Sequence, residues 1–153
     1  MLMIQFWVQS TASRTKRNDM ISTRPFKPQA VHMSQKNILC IEDNPTNMLL
    51  ISRVVEAEGH HLIHATDGET AYEKLSDDIP DLILLDVNLP GINGLDIARD
   101  IRDKMKYEDV PIIAVTANVL VGDRERCIEA GCNDYLPKPL DIRQLRTLMR
   151  DFL

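Results

Sequence analysis

From Lys36 onward the chain alternates short apolar runs with longer stretches in which apolar residues return every three or four positions. Runs near 37–41, 61–65, 81–86, 111–116 and 133–136 predict strands, and most are continuously apolar, as strands covered on both faces should be. The stretches between them predict helices. The first has Asn44 as N-cap, Pro45 at the first helical position and Gly59 as its stop, with Met48, Leu49, Ile51, Val54 and Val55 forming the face that packs on the sheet. The others are predicted from about Gly68 to Ser76, Gly94 to Met105, Val119 to Ala130 with Gly131 as the stop, and Asp141 to Phe152. Strand and helix in strict alternation with short connections specify the α/β class: a doubly wound, five-stranded parallel sheet.

The first 35 residues obey a different rule. They lack a sustained period, contain Pro25 and Pro28, and hold Arg14, Lys16, Arg17, Arg24 and Lys27 against Asp19 alone, a net charge of +4. Residues 36–153 carry 13 basic and 22 acidic residues, a net of −9. Residues 1–35 therefore read as a disordered basic tail, and 36–153 as the folded domain. Met33 is an alternative start that leaves a 121-residue product. Met1 to Val8 is apolar but has neither a basic segment before it nor a small-residue cleavage site after it, which argues against a secretion signal.

Composition narrows the class further. No run approaches the roughly 20 apolar residues of a membrane helix, so a soluble protein is expected. Cys40, Cys127 and Cys132 form no C-x-x-C pair and no zinc spacing, and their odd number suits reduced, buried thiols in a cytoplasmic protein. His60, His61 and His64 flank the second strand without further ligands in a metal pattern, and His61 and His64 read as strand-end and surface residues.

The candidate chemistry lies just beyond the apolar runs. Glu42 and Asp43 follow the first, Asp86 the third, Thr116 the fourth and Lys138 the fifth. In a parallel sheet these C-terminal strand ends lie side by side, where open α/β sheets place their functional groups. Taken singly, each residue has an ordinary explanation: capping for Asp43, a surface charge for Glu42, a turn for Asp86, strand propensity for Thr116, solvation for Lys138. As a set they describe a phosphoryl-transfer site. Three convergent carboxylates need a cation between them, for which magnesium is the expected ion, and Asp86 is placed as a nucleophile with Lys138 and Thr116 to contact phosphoryl oxygens.

Ile41-Glu42-Asp43-Asn44, Leu84-Leu85-Asp86-Val87-Asn88-Leu89-Pro90 with Gly94, Val115-Thr116-Ala117 and Tyr135-Leu136-Pro137-Lys138-Pro139 together resemble a response-regulator receiver domain of two-component signalling, of the CheY- or DivK-like single-domain type. The resemblance spans residues 36–153 and implies a flavodoxin-like (βα)5 fold. It implies that Asp86 accepts a phosphoryl group from a histidine kinase or histidine phosphotransfer protein. Magnesium would be held by Asp43, Asp86 and the backbone carbonyl of Asn88, with Glu42 acting through a water. Lys138 and Thr116 would contact phosphoryl oxygens, and Tyr135 would be the switch aromatic beside Thr116. It further implies a cis Lys138–Pro139 bond, and places Asn88 and Asn118 where the hydrolysis of the acyl phosphate is tuned. Glu42 stands where Asp is commoner in the family, and Leu89 where Met is frequent.

Such a protein is a switch whose own chemistry is limited to self-phosphotransfer and autodephosphorylation. With no DNA-binding domain or membrane segment expected, its output is a downstream protein target or a second copy of the chain. Two rivals remain at this point: a haloacid-dehalogenase-like magnesium phosphatase, which wants a second Asp where Asn88 stands, and a receiver-like binding module that is never phosphorylated.

Overall fold

The computed structural model describes residues 34–103, 107–117 and 122–153. The predictions for the basic tail and the Met33 start, apart from Ser34 and Gln35, fall outside these residues, as do those for Asn118, for the first residues of the predicted fourth helix (119–121) and for the end of the third (104–105).

Five strands, β1 (Asn37–Ile41), β2 (His61–Ala65), β3 (Leu82–Asp86), β6 (Ile112–Thr116) and β7 (Asp134–Pro137), form one parallel sheet in the order β2-β1-β3-β6-β7. Asn88–Leu89 (β4) and Ile92–Asn93 (β5) make a small antiparallel ribbon around Pro90 and Gly91, where the sequence predicts only a turn. Two residues per strand are too few to leave a periodic signal.

The sheet divides its side chains by alternation. Ile38, Cys40, Leu82, Leu84, Ile113 and Val115 point to one face, where they pack with helix α1 (Pro45–Ala57) and helix α5 (Ile142–Phe152). Leu39, Ile41, Ile83, Leu85, Ile112 and Ala114 point to the other, under α2 (Gly68–Asp77), α3 (Gly94–Asp103) and α4 (Asp123–Glu129). Period two, with apolar residues at both phases, is why these strands read as unbroken hydrophobic runs. The exception is β2, an edge strand whose His61 and His64 are exposed.

Local signals set the helix ends. Asn44 Oδ1 accepts from the amides of Thr46 and Asn47 at 2.9 and 3.3 Å, and Gly59 ends the α1 segment with φ +84°. Leu49 departs from the expected buried face: it is 59% exposed. Met48, Ile51 and Val55 follow the i, i+3, i+7 stripe toward the sheet, and a residue one position after Met48 is turned about 100° away from it.

Gly94 opens α3 because nothing larger fits. A Cβ there would lie 2.0 Å from the backbone oxygen of Asp86. At the opposite end of the sheet, Arg102 donates to the carbonyls of Gly131, Tyr107 and Val110 at 2.8, 2.9 and 2.8 Å and to Asn133 Oδ1 at 2.8 Å. It joins the end of α3 to the turn after α4. Gly131, in the left-handed region at φ +97°, admits the Arg102 stem, which a Cβ would meet at 2.6 Å.

Candidate functional site

The C-terminal edge of the sheet collects the polar residues. β1 delivers Glu42, β3 ends in Asp86 and β6 ends in Thr116, and all three are almost completely buried; Asp43 is exposed at the rim. β1 and β3 are hydrogen-bonded neighbours, so Glu42 and Asp43 follow directly beside Asp86. Among the described residues, Glu42, Asp43 and Asp86 form a cluster whose oxygens all lie within 4.8 Å of one another.

The two buried carboxylates are each oriented by backbone. Asp86 Oδ1 accepts from the amide of Asn88 at 2.9 Å, and Glu42 Oε1 from the amide of Asn44 at 3.0 Å. Lys138 reaches over both from β7: its Nζ donates to Asp86 Oδ2 at 2.8 Å and stands 3.0 Å from Glu42 Oε2. The second contact has ion-pair distance but not hydrogen-bond direction, so Glu42 Oε2 is buried with no donor. Burial works against the Lys138 ammonium, but its hydrogen bond to Asp86 and its close contacts with the Asp86 and Glu42 charges outweigh it and hold its pKa above the ordinary lysine value.

Beneath these groups lies Cys40. Burial first, then the charges of Glu42 and Asp86, push its thiol far upward, so it stays protonated and inert. His64, a surface residue by its exposure, places Nε2 3.4 Å from the carbonyl oxygen of Glu42. An isolated histidine on an edge strand carries no sign of that contact.

The structure thus brings Glu42, Asp43, Asp86 and Lys138 into direct contact range, with Thr116 at the adjoining strand end. The Thr116 carbonyl accepts from the amide of Lys138 at 2.7 Å, tying the two strand ends together, and the Lys138–Pro139 peptide is cis. Tyr135 stands apart from the polar cluster. It is half-buried against the α2–α3–α4 core, in register with Ala114. Thr116 and Tyr135 therefore project from the same face of neighbouring strands, since Thr116 pairs with Pro137 and side chains two apart share a face.

Chemically, three carboxylates whose hard oxygen donors converge within 4.8 Å fit a divalent cation. The cluster Glu42, Asp43, Asp86 can hold a metal, and the lysine beside it can face an anion bound there.

Comparison with known proteins agrees with this geometry. Residues 38–150 match the response regulator receiver domain. The polar-differentiation response regulator DivK of Brucella ovis is 34% identical over 118 residues, which span 77% of this chain and 96% of DivK. The receiver domain of the Pseudomonas aeruginosa sensor histidine kinase PA1611, solved with a magnesium ion coordinated in its active-site cleft, superposes with a TM-score of 0.71 at 38% identity, covering 78% of this chain and 98% of that one. The chemotaxis protein CheY4 of Vibrio cholerae, at 22% identity, shares the fold with a TM-score of 0.74 over 78% of this chain and all of its own. Members of this family act as signalling switches that interact with histidine kinases or phosphotransfer proteins. With the domain matched over nearly the whole described region and the acidic cluster at its strand ends, the chain belongs to the response-regulator receiver domain family.

Proposed function

We propose that this chain is a phosphoacceptor switch in which Asp86 takes a phosphoryl group from a histidine kinase or a histidine phosphotransfer protein. One observation carries the reading: the Asp86 carboxylate is fixed from both sides, by the Asn88 amide at 2.9 Å and by Lys138 Nζ at 2.8 Å, beside two further carboxylates. A carboxylate held this way is positioned for in-line attack, and the lysine is in place to accompany the charge. The bond from an Asp86 oxygen to phosphorus forms as the bond from phosphorus to the donor nitrogen breaks, and the donor imidazole leaves with the electron pair.

Asp43, Asp86 and the backbone carbonyl of Asn88 would hold magnesium, with Glu42 contributing through a water. When bound, the ion supplies charge neutralisation at the phosphoryl oxygens. Three carboxylates against a single ammonium support this role, since they leave negative charge that a cation would neutralise. Lys138 contacts one phosphoryl oxygen and the Thr116 hydroxyl another. Tyr135, on the same face as Thr116, repacks in response, so the phosphorylated state favours one of two packings around α4, β7 and α5. The output is a protein contact on that face, with a downstream target or a second copy of the chain. Three buried free thiols support residence in a reducing compartment.

The test uses the full chain with magnesium and acetyl phosphate. An acid-stable, base-labile phosphoryl group is expected on the wild type and absent from Asp86→Asn. Label that survives this substitution overturns the assignment of Asp86, and steady hydrolysis of many phosphate esters overturns the switch in favour of a phosphatase.

A further inference from the structure

We propose that Arg126 on α4 is a phosphoryl-responsive positioning residue, whose guanidinium leaves Asp123 for a phosphoryl oxygen once Asp86 is modified. The inference rests on the phosphoacceptor reading of Asp86 and deepens it. A cavity of about 70 Å³ adjoins the strand-end site, with Asn88 and Thr116 in one wall and Asp123, Arg126 and Cys127 in the other. The first wall belongs to the site itself: the Asn88 amide holds Asp86 Oδ1, and Thr116 ends the strand paired with β3. The second wall is a charged pair on α4. Its polar lining and size suit one or two waters, which a rearranging side chain can displace.

The pair is built to be exchanged. Arg126 Nη1 donates to Asp123 Oδ1 through a single contact of 3.3 Å, at the long end of the hydrogen-bond range. The arginine side chain is 63% exposed and the aspartate 13%, so the cation is the solvated partner and the carboxylate the fixed one. Exposed pairs of this kind, one turn apart on a helix, contribute little to stability. A phosphoryl group brings a charge of about −1.5 to −2 with three acceptor oxygens, which a guanidinium can grip through two parallel N–H bonds. The same charge repels Asp123 across the cavity. Attraction of Arg126 and repulsion of Asp123 act in the same direction.

Lys138 does not remove the need for this second cation. Its ammonium is shared between Glu42 and Asp86 and approaches from β7. Arg126 stands on α4 and lines the same small cavity as Asn88 and Thr116. The exchange couples the charge on Asp86 to α4, a helix that packs on Tyr135's strand.

Beryllofluoride, a non-covalent phosphoryl mimic, tests the exchange in the full chain with saturating magnesium, its affinity followed by fluorine NMR. Arg126→Gln is expected to weaken binding about fivefold and Arg126→Lys less, the difference between a bidentate and a point-charge contact. Asp123→Asn is expected to tighten binding at least about twofold, because it removes both the competitor for Arg126 and the repelling charge. Tightening by Asp123→Asn that shrinks when Arg126→Gln is also present is the result that neither a merely structural pair nor loss of the repelling charge alone can give. The proposal is overturned if Arg126→Gln binds the mimic as the wild type does, whatever Asp123→Asn does, or if Asp123→Asn weakens binding as Arg126→Gln does. Failure of the wild type to bind it overturns the phosphoacceptor reading beneath, and this inference with it.

Discussion

Lys138 shows how much one residue can be asked to do by its surroundings. With its ammonium removed, Glu42 and Asp86 remain buried and charged beside each other, each stripped of its nearest cation. Lys138→Met should therefore destabilise the metal-free protein by about 3 kcal/mol, the usual cost of breaking a buried pair from one side, measured by urea unfolding. Its pH dependence has a definite sign. The folded-state pKa is raised, so the contribution is fully present below the unfolded lysine value of about 10.4 and is lost as pH rises through the folded value. The stability gap between wild type and Lys138→Met should narrow on the alkaline side, and a gap that widens there would contradict the assigned contacts. The thiols give a second test at this scale. Burial raises Cys127 and pushes Cys132 to about 12, while burial together with the charges of Glu42 and Asp86 raises Cys40. A thiol reagent at mildly alkaline pH should leave all three unmodified in the native protein and modify all three in denaturant.

The residues of the site were legible because each follows a hydrophobic run, so strand ends and polar chemistry are marked by the same change in pattern. Arg102 was not legible, because most of its partners are backbone carbonyls, and every residue has one. Asp123 and Arg126 were hidden for another reason: their spacing makes an ordinary helical pair, and only the fold puts that pair against Asn88 and Thr116. Leu49 misled because it belongs to the apolar count of α1 but not to its stripe.

At the scale of elements, the join between β3 and α3 governs the site. The chain leaves Asp86, turns through the β4–β5 ribbon and returns so closely that the Gly94 amide donates to the Val87 carbonyl at 2.9 Å. That return leaves no room for a side chain at Gly94, where a Cβ would overlap the Asp86 carbonyl. Gly94→Ala should cost about 3 kcal/mol by forced displacement of backbone, and should impair phosphorylation of Asp86 as well. A variant as stable and as readily phosphorylated as the wild type would show that the return loop is not tight. The five main strands and the caps at Asn44, Gly59 and Gly131 followed from pattern alone, since each has a local cause. The ribbon did not, because strands of two residues have no period, and it is held by its closing turn instead.

At the scale of the whole molecule, the sheet separates two cores and lets one edge serve both. α1 and α5 cover one face and α2, α3 and α4 the other, while the strand ends meet at the acidic cluster. Burying two carboxylates beside one lysine, with a third carboxylate at the rim, leaves excess negative charge, which the fold must carry until a cation arrives. Magnesium should therefore stabilise the protein against unfolding, by about 2.7 kcal/mol at a concentration a hundredfold above its dissociation constant. Asp43→Asn should remove most of that gain with little change in the metal-free state, because Asp43 is exposed. An equal magnesium effect in both proteins would place the ion elsewhere.

The most direct test of the central claim is chemical identification of the phosphorylated residue. The full chain is treated with acetyl phosphate and magnesium, reduced with borohydride and digested, so that an acyl phosphate is read by mass spectrometry as a reduced aspartate. The account predicts one reduced site, at Asp86, dependent on magnesium and absent from Asp86→Asn; reduction at another carboxylate, or at none while the protein remains folded, would contradict it.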